Sequence, residues 1–216
     1  MRVVGGAWRG RPLSAPPGRG TRPTSDKVRE AVFDVLGALP EAREVAASSP
    51  SGHAALDVFA GSGALGIEAL SRGAGSCTFV ESAPPALRAL RANLERVGVP
   101  VLRGAGSPAP AGTPSPHAVV LAGDVRRVLA ADARRGARYT LVFADPPYDL
   151  YEQVRPALVR LLGRVLVPGA VLVVESAAGT AAGLPWTVVR EKRYGDTRVT
   201  FLVADAASPA EGESAH

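Results

Sequence analysis

Residues 55–66 read Ala-Leu-Asp-Val-Phe-Ala-Gly-Ser-Gly-Ala-Leu-Gly. The apolar run 55–59 predicts a buried strand, and 65–71 predicts the helix that follows it. The glycines between them have the GxGxxG spacing, in which small residues let a ligand approach the backbone and the helix N-terminus. This spacing alone does not identify the ligand, because nicotinamide enzymes use it too.

The rest of the chain after this turn alternates strands with helices, which is typical of a parallel sheet. The predicted fold class is therefore α/β, a mostly parallel Rossmann-like sheet with a C-terminal antiparallel hairpin. A Gly-, Pro-, Ala- and Ser-rich stretch at 103–117 is expected to be a flexible insertion. The predicted strands are 55–59, 77–81, 118–122, 139–143 and 170–175, the helices after the turn are 65–71, 84–97 and 151–166, and the hairpin pairs 187–193 with 197–204.

The N-terminal part is predicted to be a separate element. Residues 1–20 indicate a short hairpin, and a helix capped by Thr24 or Ser25 ends at Pro40. Residues 41–54 are read as a loop, in which a few polar residues could extend the helix. We therefore expect an N-terminal hairpin and helix at 1–40, a main domain at 54–204 and a disordered tail at 205–216.

Positive charge is concentrated at the N-terminus. The formal net charge is +5, and residues 1–30 alone contain seven basic and two acidic residues. A local excess of this kind is expected of a segment that docks on a polyanion, the alternative being a solvated basic tail. The candidate contacts are Arg2, Arg9, Arg11, Arg22, Lys27 and Arg29, some of which could instead pair with Asp26 or Glu30.

Composition excludes several classes of protein. No run reaches the ~18 uninterrupted apolar residues of a membrane span, and no signal-peptide pattern begins the chain. The single cysteine, Cys77, rules out an internal disulfide and fits a reducing cytosol. Three scattered histidines give no metal-ligand pattern, so we expect neither a metal nor a membrane.

Acidic residues end four of the predicted strands. Asp57, Glu81, Asp124 and Asp145 would meet at one sheet edge, because the carboxyl ends of parallel strands lie together. Glu81 suits a ribose diol, a contact that dinucleotide sites also make. Asp57 suits a cationic amino-acid group and Asp124 an adenine amino group, and together with the Asp-Pro-Pro-Tyr loop at 145–148 they favour S-adenosylmethionine over a nicotinamide. The alternative is that each acid caps the next helix. The expected cofactor-binding residues are Asp57, Phe59, Gly61, Ser62, Gly63, Glu81 and Asp124.

The sequence Asp145-Pro146-Pro147-Tyr148 follows the predicted strand 139–143 directly. Prolines cannot continue a sheet ladder, so the strand ends at this loop. A carboxylate, a fixed carbonyl and a flat ring can grip a planar base and accept hydrogen bonds from its exocyclic amine. Asp145, Pro146 and Tyr148 are therefore the candidate catalytic residues, although the Tyr148 ring could instead pack beside the sheet.

Asp-Pro-Pro-Tyr together with the Asp-x-Phe-x-Gly-x-Gly loop resembles amino-group methyltransferases that act on nucleic acid bases. The chain resembles more closely the bacterial 16S ribosomal RNA guanine-N2 methyltransferase family of the RsmD type. That resemblance runs from Met1 to about Ala204 and includes the basic N-terminal block. The stretches that carry it are 2–6, 10–11, 21–33, 57–74, 145–148 and 193–197.

The resemblance implies a cytoplasmic enzyme that methylates the N2 amine of a guanine in 16S ribosomal RNA, with S-adenosylmethionine as cofactor and a small-subunit assembly particle as the expected substrate. From the tetrapeptide alone, adenine-N6 or cytosine-N4 methylation stays open. A nicotinamide-dependent oxidoreductase and a non-catalytic RNA-binding factor are the alternatives from other classes.

Overall fold

A central eight-stranded sheet organises the part of the chain that the structure describes. The structure is a computed structural model, and it describes residues 1–16, 25–47, 53–102 and 115–205, with the backbone alone at positions 148 and 149. The helices are α1 (Asp26–Ala38), α2 (Pro40–Ala47), α3 (Ala64–Ser71), α4 (Pro84–Val97), α5 (Val125–Arg134) and α6 (Tyr148–Leu162). The strands are β1 (Ala54–Val58), β2 (Ser76–Glu81), β3 (Val101–Leu102), β4 (His117–Ala122), β5 (Tyr139–Ala144), β6 (Leu166–Ala177), β7 (Thr187–Tyr194) and β8 (Thr197–Val203).

The strand order is β3-β4-β2-β1-β5-β6-β8-β7. The first six strands in this order pair in parallel, and β8 pairs antiparallel with both β6 and β7. The chain leaves β1 toward β2 on one side and returns beside β1 as β5 on the other. This reversal is the topological switch point at which open α/β sheets bind ligands.

The two faces of the sheet are covered by separate sets of helices. Along β1, Ala55 packs into a cluster with residues of α1, α3 and α4, whereas Leu56 and Val58 pack with α5 and α6. This alternation follows from the period of two in a strand. Because both faces are buried, the parallel strands are mostly apolar, and the polar residues within them include the buried Asp57, Thr78 and Thr140.

The N-terminal segment belongs to the core. Val3 and Leu13 are buried in the same cluster as α1, α3 and the sheet. Residues 1–13 form a small arch that is closed by backbone hydrogen bonds between Val3 and Arg11 and between Leu13 and Met1. The Ser25 hydroxyl caps α1 by accepting from the Val28 amide at 3.2 Å, as predicted. Whether 1–40 acts as a separate domain stays a prediction.

Three elements were missed by the sequence prediction, and several boundaries move. Helix α2 was read as a loop, but Pro40 starts it from a first-turn position, where proline costs no hydrogen bond. Helix α5 and the two-residue β3 were not predicted. Helix α6 begins and ends earlier than 151–166, and β6 is twice as long as the predicted strand 170–175.

Two stretches, 103–117 and 205–216, were predicted to be irregular. Of the predicted insertion 103–117, the last residue begins β4, while 103–114 lie outside the described residues. All but the first residue of the predicted tail 205–216 also lies outside them.

Candidate active site

A cleft opens at the carboxyl ends of the parallel strands. Its volume is about 460 Å³, which is within the ~300–1,000 Å³ typical of small-molecule sites. All four acids that were predicted to meet at this edge line it: Asp57, Glu81, Asp124 and Asp145. Asp145 therefore shares one cavity with the glycine-rich turn, as the predicted site required.

The turn from β1 to α3 is built from left-handed backbone. Phe59, Gly61 and Gly63 have φ angles of 64°, 56° and 78°. Phe59 is the one non-glycine residue with positive φ among the described residues, and such a conformation costs a bulky residue roughly 1–2 kcal/mol. This strain ends β1 at Val58 instead of the predicted residue 59, and it places Phe59 in the cleft wall.

The three glycines of the turn serve different purposes. A Cβ on Gly61 would meet nothing closer than 4.0 Å, because this residue faces the open cleft. A Cβ on Gly63 would lie 2.3 Å from Leu90 Cδ1, and one on Gly66 would lie 2.3 Å from Phe79 Cε1. Gly61 and Ser62 line the cleft, whereas Gly63 has a packing role, and its contact with the cofactor stays a prediction.

Asp57 is a buried carboxylate at the base of the cleft, with 2% of its surface exposed. Its Oδ2 accepts a hydrogen bond from the Gly66 amide at 2.9 Å, in the first turn of α3. Burial raises the pKa of Asp57 to about 7, and the nearby charge of Glu81 adds to the rise, whereas the Gly66 hydrogen bond opposes it. A cation bound beside Asp57 would favour its ionised form.

Glu81 joins two loops of the cleft. Its Oε2 accepts from the Gly61 amide at 2.8 Å, and its Oε1 accepts from the Ser82 and Ala83 amides at 2.7 Å each. A carboxylate has about four acceptor positions, so these bonds leave capacity for one more. The predicted bidentate contact with a ribose diol would therefore have to share a position with a backbone amide.

Asp124 has the surroundings of a helix cap. Its Oδ1 accepts from the Arg126 amide at 2.9 Å at the start of α5, and its Oδ2 lies 2.8 Å from Arg126 Nη2. The hydrogen bond from the Arg126 side chain lowers the pKa of Asp124 to about 2, an effect that burial partly opposes. The alternative considered for all four acids, helix capping, therefore holds here, and a contact with adenine stays a prediction.

The loop after β5 brings a second set of groups to the same cleft. Asp145 is half-buried and lines the cleft together with Pro147, whereas Pro146 is buried and is not part of the lining. The side chain of Tyr148 lies outside the described atoms, so its stacking role stays a prediction. Tyr151, expected to pack, is 2% exposed and donates its hydroxyl to the Ala182 carbonyl.

The lining fits S-adenosylmethionine. A buried carboxylate suits a cationic amino-acid group, and the open space above Gly61 admits a ligand close to the backbone. Apolar side chains on the walls suit a flat ring. Those that line the cleft include Phe59, Leu65, Val80, Pro85 and Leu150.

The basic residues of the N-terminal segment divide into free and engaged side chains. Arg9 and Lys27 are exposed. The side chain of Arg2 is also 70% exposed, but its Nε lies 3.9 Å from Asp26 Oδ2, the pairing considered as an alternative to RNA contact. Arg11 is also exposed, but it donates to the Val97 carbonyl at 2.9 Å, where it caps the end of α4. Arg22 lies outside the described residues.

Arg29 corrects the sequence prediction. Its side chain is fully buried and forms ion pairs with Asp26 at 2.9 Å and Glu68 at 3.7 Å, and it donates to the Arg2 carbonyl. Glu68, also fully buried, accepts from the Val4 amide at 2.8 Å. Arg29 therefore fastens the N-terminal segment to α3 and has no surface to offer to RNA.

Sequence reasoning missed Pro16 and Arg126, which line the cleft, and the buried Asn93. Asn93 had a signal in the sequence, since it is a polar residue on the apolar face of α4, between Leu90 and Val97 in the helical repeat. Pro16 had none, because only the tertiary structure brings it to the glycine-rich turn.

Two further properties concern the described ranges. None of the helices in them has the length and apolarity to cross a membrane. Within the same ranges, no group of three or more His, Cys, Asp and Glu side chains is placed to hold a metal ion.

The strand order, the glycine-rich turn and the acid-lined cleft define a Rossmann-like α/β fold with a ligand site at its switch point, and solved structures of methyltransferases share this fold. The chain belongs to the family described as Conserved hypothetical protein 95, whose model matches residues 1–203. This match and the relatives below confirm the resemblance found in the sequence.

Among relatives, YlbH of Bacillus subtilis (strain 168) is 35% identical over 208 residues, which are 93% of this chain and 97% of YlbH. Ribosomal RNA small subunit methyltransferase D of Escherichia coli (strain K12) is 31% identical over 226 residues, covering 99% of this chain and 94% of that protein. The solved structure of yhhF from Escherichia coli is 31% identical, with a TM-score of 0.71 and coverage of 96% of this chain and 99% of that one.

Proposed function

We propose that this chain methylates the exocyclic N2 amine of a guanine in 16S ribosomal RNA. The observation that carries the proposal is that Asp145 of the Asp-Pro-Pro-Tyr loop lines the same cleft as the glycine-rich turn and Asp57. The substrate class follows from the relative named as a small-subunit ribosomal RNA methyltransferase.

When bound, S-adenosylmethionine supplies an electrophilic methyl group. We assign Asp57, at the base of the cleft, to the cationic amino group of the cofactor. We assign Glu81, whose carboxylate lies beside Gly61, to a ribose hydroxyl. Because Asp57 is buried, water does not screen its charge, and an ionic contact with the cofactor is stronger there than at the surface.

The target amine needs activation, because its lone pair is delocalised into the guanine ring. The Asp145 carboxylate accepts a hydrogen bond from one of its N–H groups. We assign the carbonyl of Pro146, a buried residue outside the cleft lining, to the other N–H group. These bonds favour a pyramidal nitrogen with an available lone pair and hold it in a near-attack position. The extra proton leaves afterwards to Asp145 or water, and no strong general base is required because a protonated methylamine of this kind is acidic.

The base has to leave the RNA stack to reach the cleft. Tyr148 is assigned to stack on it, a contact of the kind that contributes roughly 1–3 kcal/mol per base. The exposed side chains of Arg2, Arg9 and Lys27 are assigned to phosphate groups. Arg2 follows Met1, whose sulfur lies 3.9 Å from the hydroxyl of Ser62, so this basic segment begins beside the cleft.

The test is methyl transfer from labelled cofactor to unmodified 16S ribosomal RNA and to small-subunit particles, followed by nucleoside analysis. We expect label in N2-methylguanosine, and we expect the particle to be the better substrate. We also expect the protein to act in the cytoplasm. Label in N6-methyladenosine or N4-methylcytosine would replace guanine by another base. Binding of NAD without binding of S-adenosylmethionine would overturn the proposal.

A further inference from the structure

Asn93 is a fully buried polar side chain that connects three parts of the molecule. It lies on α4, and its Nδ2 donates to the Ser14 carbonyl at 2.9 Å and to the Ser62 carbonyl at 3.0 Å. Its Oδ1 accepts from the Ser14 amide at 2.8 Å. The side chain thus pairs with both backbone groups of Ser14 and also holds the carbonyl of the glycine-rich turn.

A second interaction fixes the same segment from outside. Arg96, one turn further along α4, donates from Nη1 to Asn93 Oδ1 and to the Ser14 hydroxyl, at 3.1 Å each. These bonds set the position of Ser14 relative to the turn. Two residues later Pro16 lines the cleft, in company with Gly61, Ser62 and Glu81.

We propose that Ser14–Pro16 form a wall of the cofactor cleft, and that Asn93 is the positioning residue that locks this wall to the glycine-rich turn. The inference rests on the proposed function only in taking S-adenosylmethionine as the ligand of the cleft. The N-terminal segment then has two duties, because its exposed arginines serve RNA while its later residues shape the cofactor site.

The chemistry of Asn93 explains why an amide is needed. A carboxylate in its place would still accept from the Ser14 amide, but it has no N–H groups for the Ser14 and Ser62 carbonyls. Both carbonyls would then face an acceptor. Asn93→Asp keeps the shape of the side chain, replaces the donor group by an acceptor and adds a charge beside Arg96, so it breaks the contacts between wall and turn.

The experiment measures binding of S-adenosylhomocysteine by calorimetry to the full-length wild-type chain, Asn93→Asp and the control Glu95→Gln. Glu95 lies on the same helix and is exposed. We expect Asn93→Asp to raise Kd about tenfold, as expected from the loss of a buried hydrogen bond, and Glu95→Gln to leave it unchanged. Failure of the wild type to bind would count against the proposed function, whereas equal binding by folded Asn93→Asp would overturn this inference.

A kinetic readout separates positioning from loss of folded protein. A wall that binds the cofactor equally before and during transfer affects KM and leaves kcat at saturating cofactor within about twofold. A merely destabilised chain would lose kcat with KM unchanged, and that result would also overturn the inference.

Pro16→Gly keeps the proposal testable even if Asn93→Asp does not fold. It removes the ring from the cleft wall and leaves the bonds of Asn93 in place. We expect a Kd increase of about threefold with circular dichroism unchanged. If Pro16→Gly binds as the wild type does, Ser14–Pro16 are not a wall of the occupied cleft.

Discussion

Asp57 and Asp124 line the same cleft near the ends of parallel strands, but their surroundings are opposite. Asp57 is buried and its pKa is raised to about 7, mainly by burial. Asp124 is partly exposed, and its hydrogen bonds with Arg126 lower its pKa to about 2. Asp57 is therefore available to a cationic ligand, whereas Asp124 is already paired with the Arg126 guanidinium.

The same contrast divides the basic residues of α1. Arg29 is fully buried between Asp26 and Glu68, whereas Lys27, two positions earlier, is exposed. Burial and partners therefore decide which charges act on a ligand and which hold the fold. Both contrasts can be tested by substitution.

The largest effect is expected at Arg29. Arg29→Ala leaves Glu68 buried with fewer partners and should lower the free energy of unfolding by about 3 kcal/mol, since breaking a buried ion pair typically costs about 3–5 kcal/mol. The measurement is urea unfolding followed by circular dichroism. Lys27→Ala is the control and should change stability by less than about 0.5 kcal/mol; equal losses in the two variants would remove the contrast.

The next effect concerns the acid at the end of β5. Asp145→Ala removes one acceptor of the target amine and should slow single-turnover methyl transfer by about 100-fold, the effect of losing one well-placed catalytic hydrogen bond. Affinity for S-adenosylhomocysteine should stay within about twofold. A variant that transfers methyl groups at nearly the wild-type rate would refute the role of Asp145.

The raised pKa of Asp57 predicts that both stability and cofactor affinity depend on pH. Its folded-state pKa lies above the unfolded value, so its contribution to stability is present below about pH 4 and is lost as the pH rises through about 7. A cationic ligand needs the ionised form, so affinity for S-adenosylhomocysteine should be about tenfold weaker at pH 6 than at pH 8.

Asp57→Asn provides the control for this dependence. It retains an acceptor for the Gly66 amide but cannot ionise, so binding should be weak and nearly independent of pH between 6 and 8. Calorimetric titrations at several pH values measure both proteins. Parallel pH profiles in the two proteins would assign the dependence to a group other than Asp57.

Asp124 should act mainly as a cap. Asp124→Ala is expected to lower stability by about 1 kcal/mol, the usual cost of losing an N-cap side chain, and to change cofactor affinity by less than about threefold. Thermal unfolding and calorimetry together decide the point. A larger change in affinity than in stability would restore the predicted contact between Asp124 and adenine.

The smallest effect is expected from Lys27→Ala on RNA binding. Loss of one phosphate contact should reduce the slope of log affinity against log salt concentration by about one unit and weaken binding a few-fold. Filter binding at four salt concentrations measures the slope. An unchanged slope would show that Lys27 does not contact phosphate.

The sequence predicted the parts of the site that lie on local patterns. The apolar run, the glycine spacing and the Asp-Pro-Pro-Tyr loop each limit what a short stretch of backbone can do, and parallel strands must bring their carboxyl ends together. For that reason Asp57, Glu81, Asp124 and Asp145 were correctly expected at one edge.

Only the tertiary structure decided which partner each of these groups meets. Arg29 reads as one more basic residue until α3 brings Glu68 beside it, and no local pattern shows that Leu90 occupies the space in which a side chain at position 63 would lie. Pro16 and Asn93 reach the turn from 46 and 31 positions away from Ser62. Local sequence sets backbone conformation, but burial and hydrogen-bond partners depend on residues distant in the chain, so no local pattern determines them.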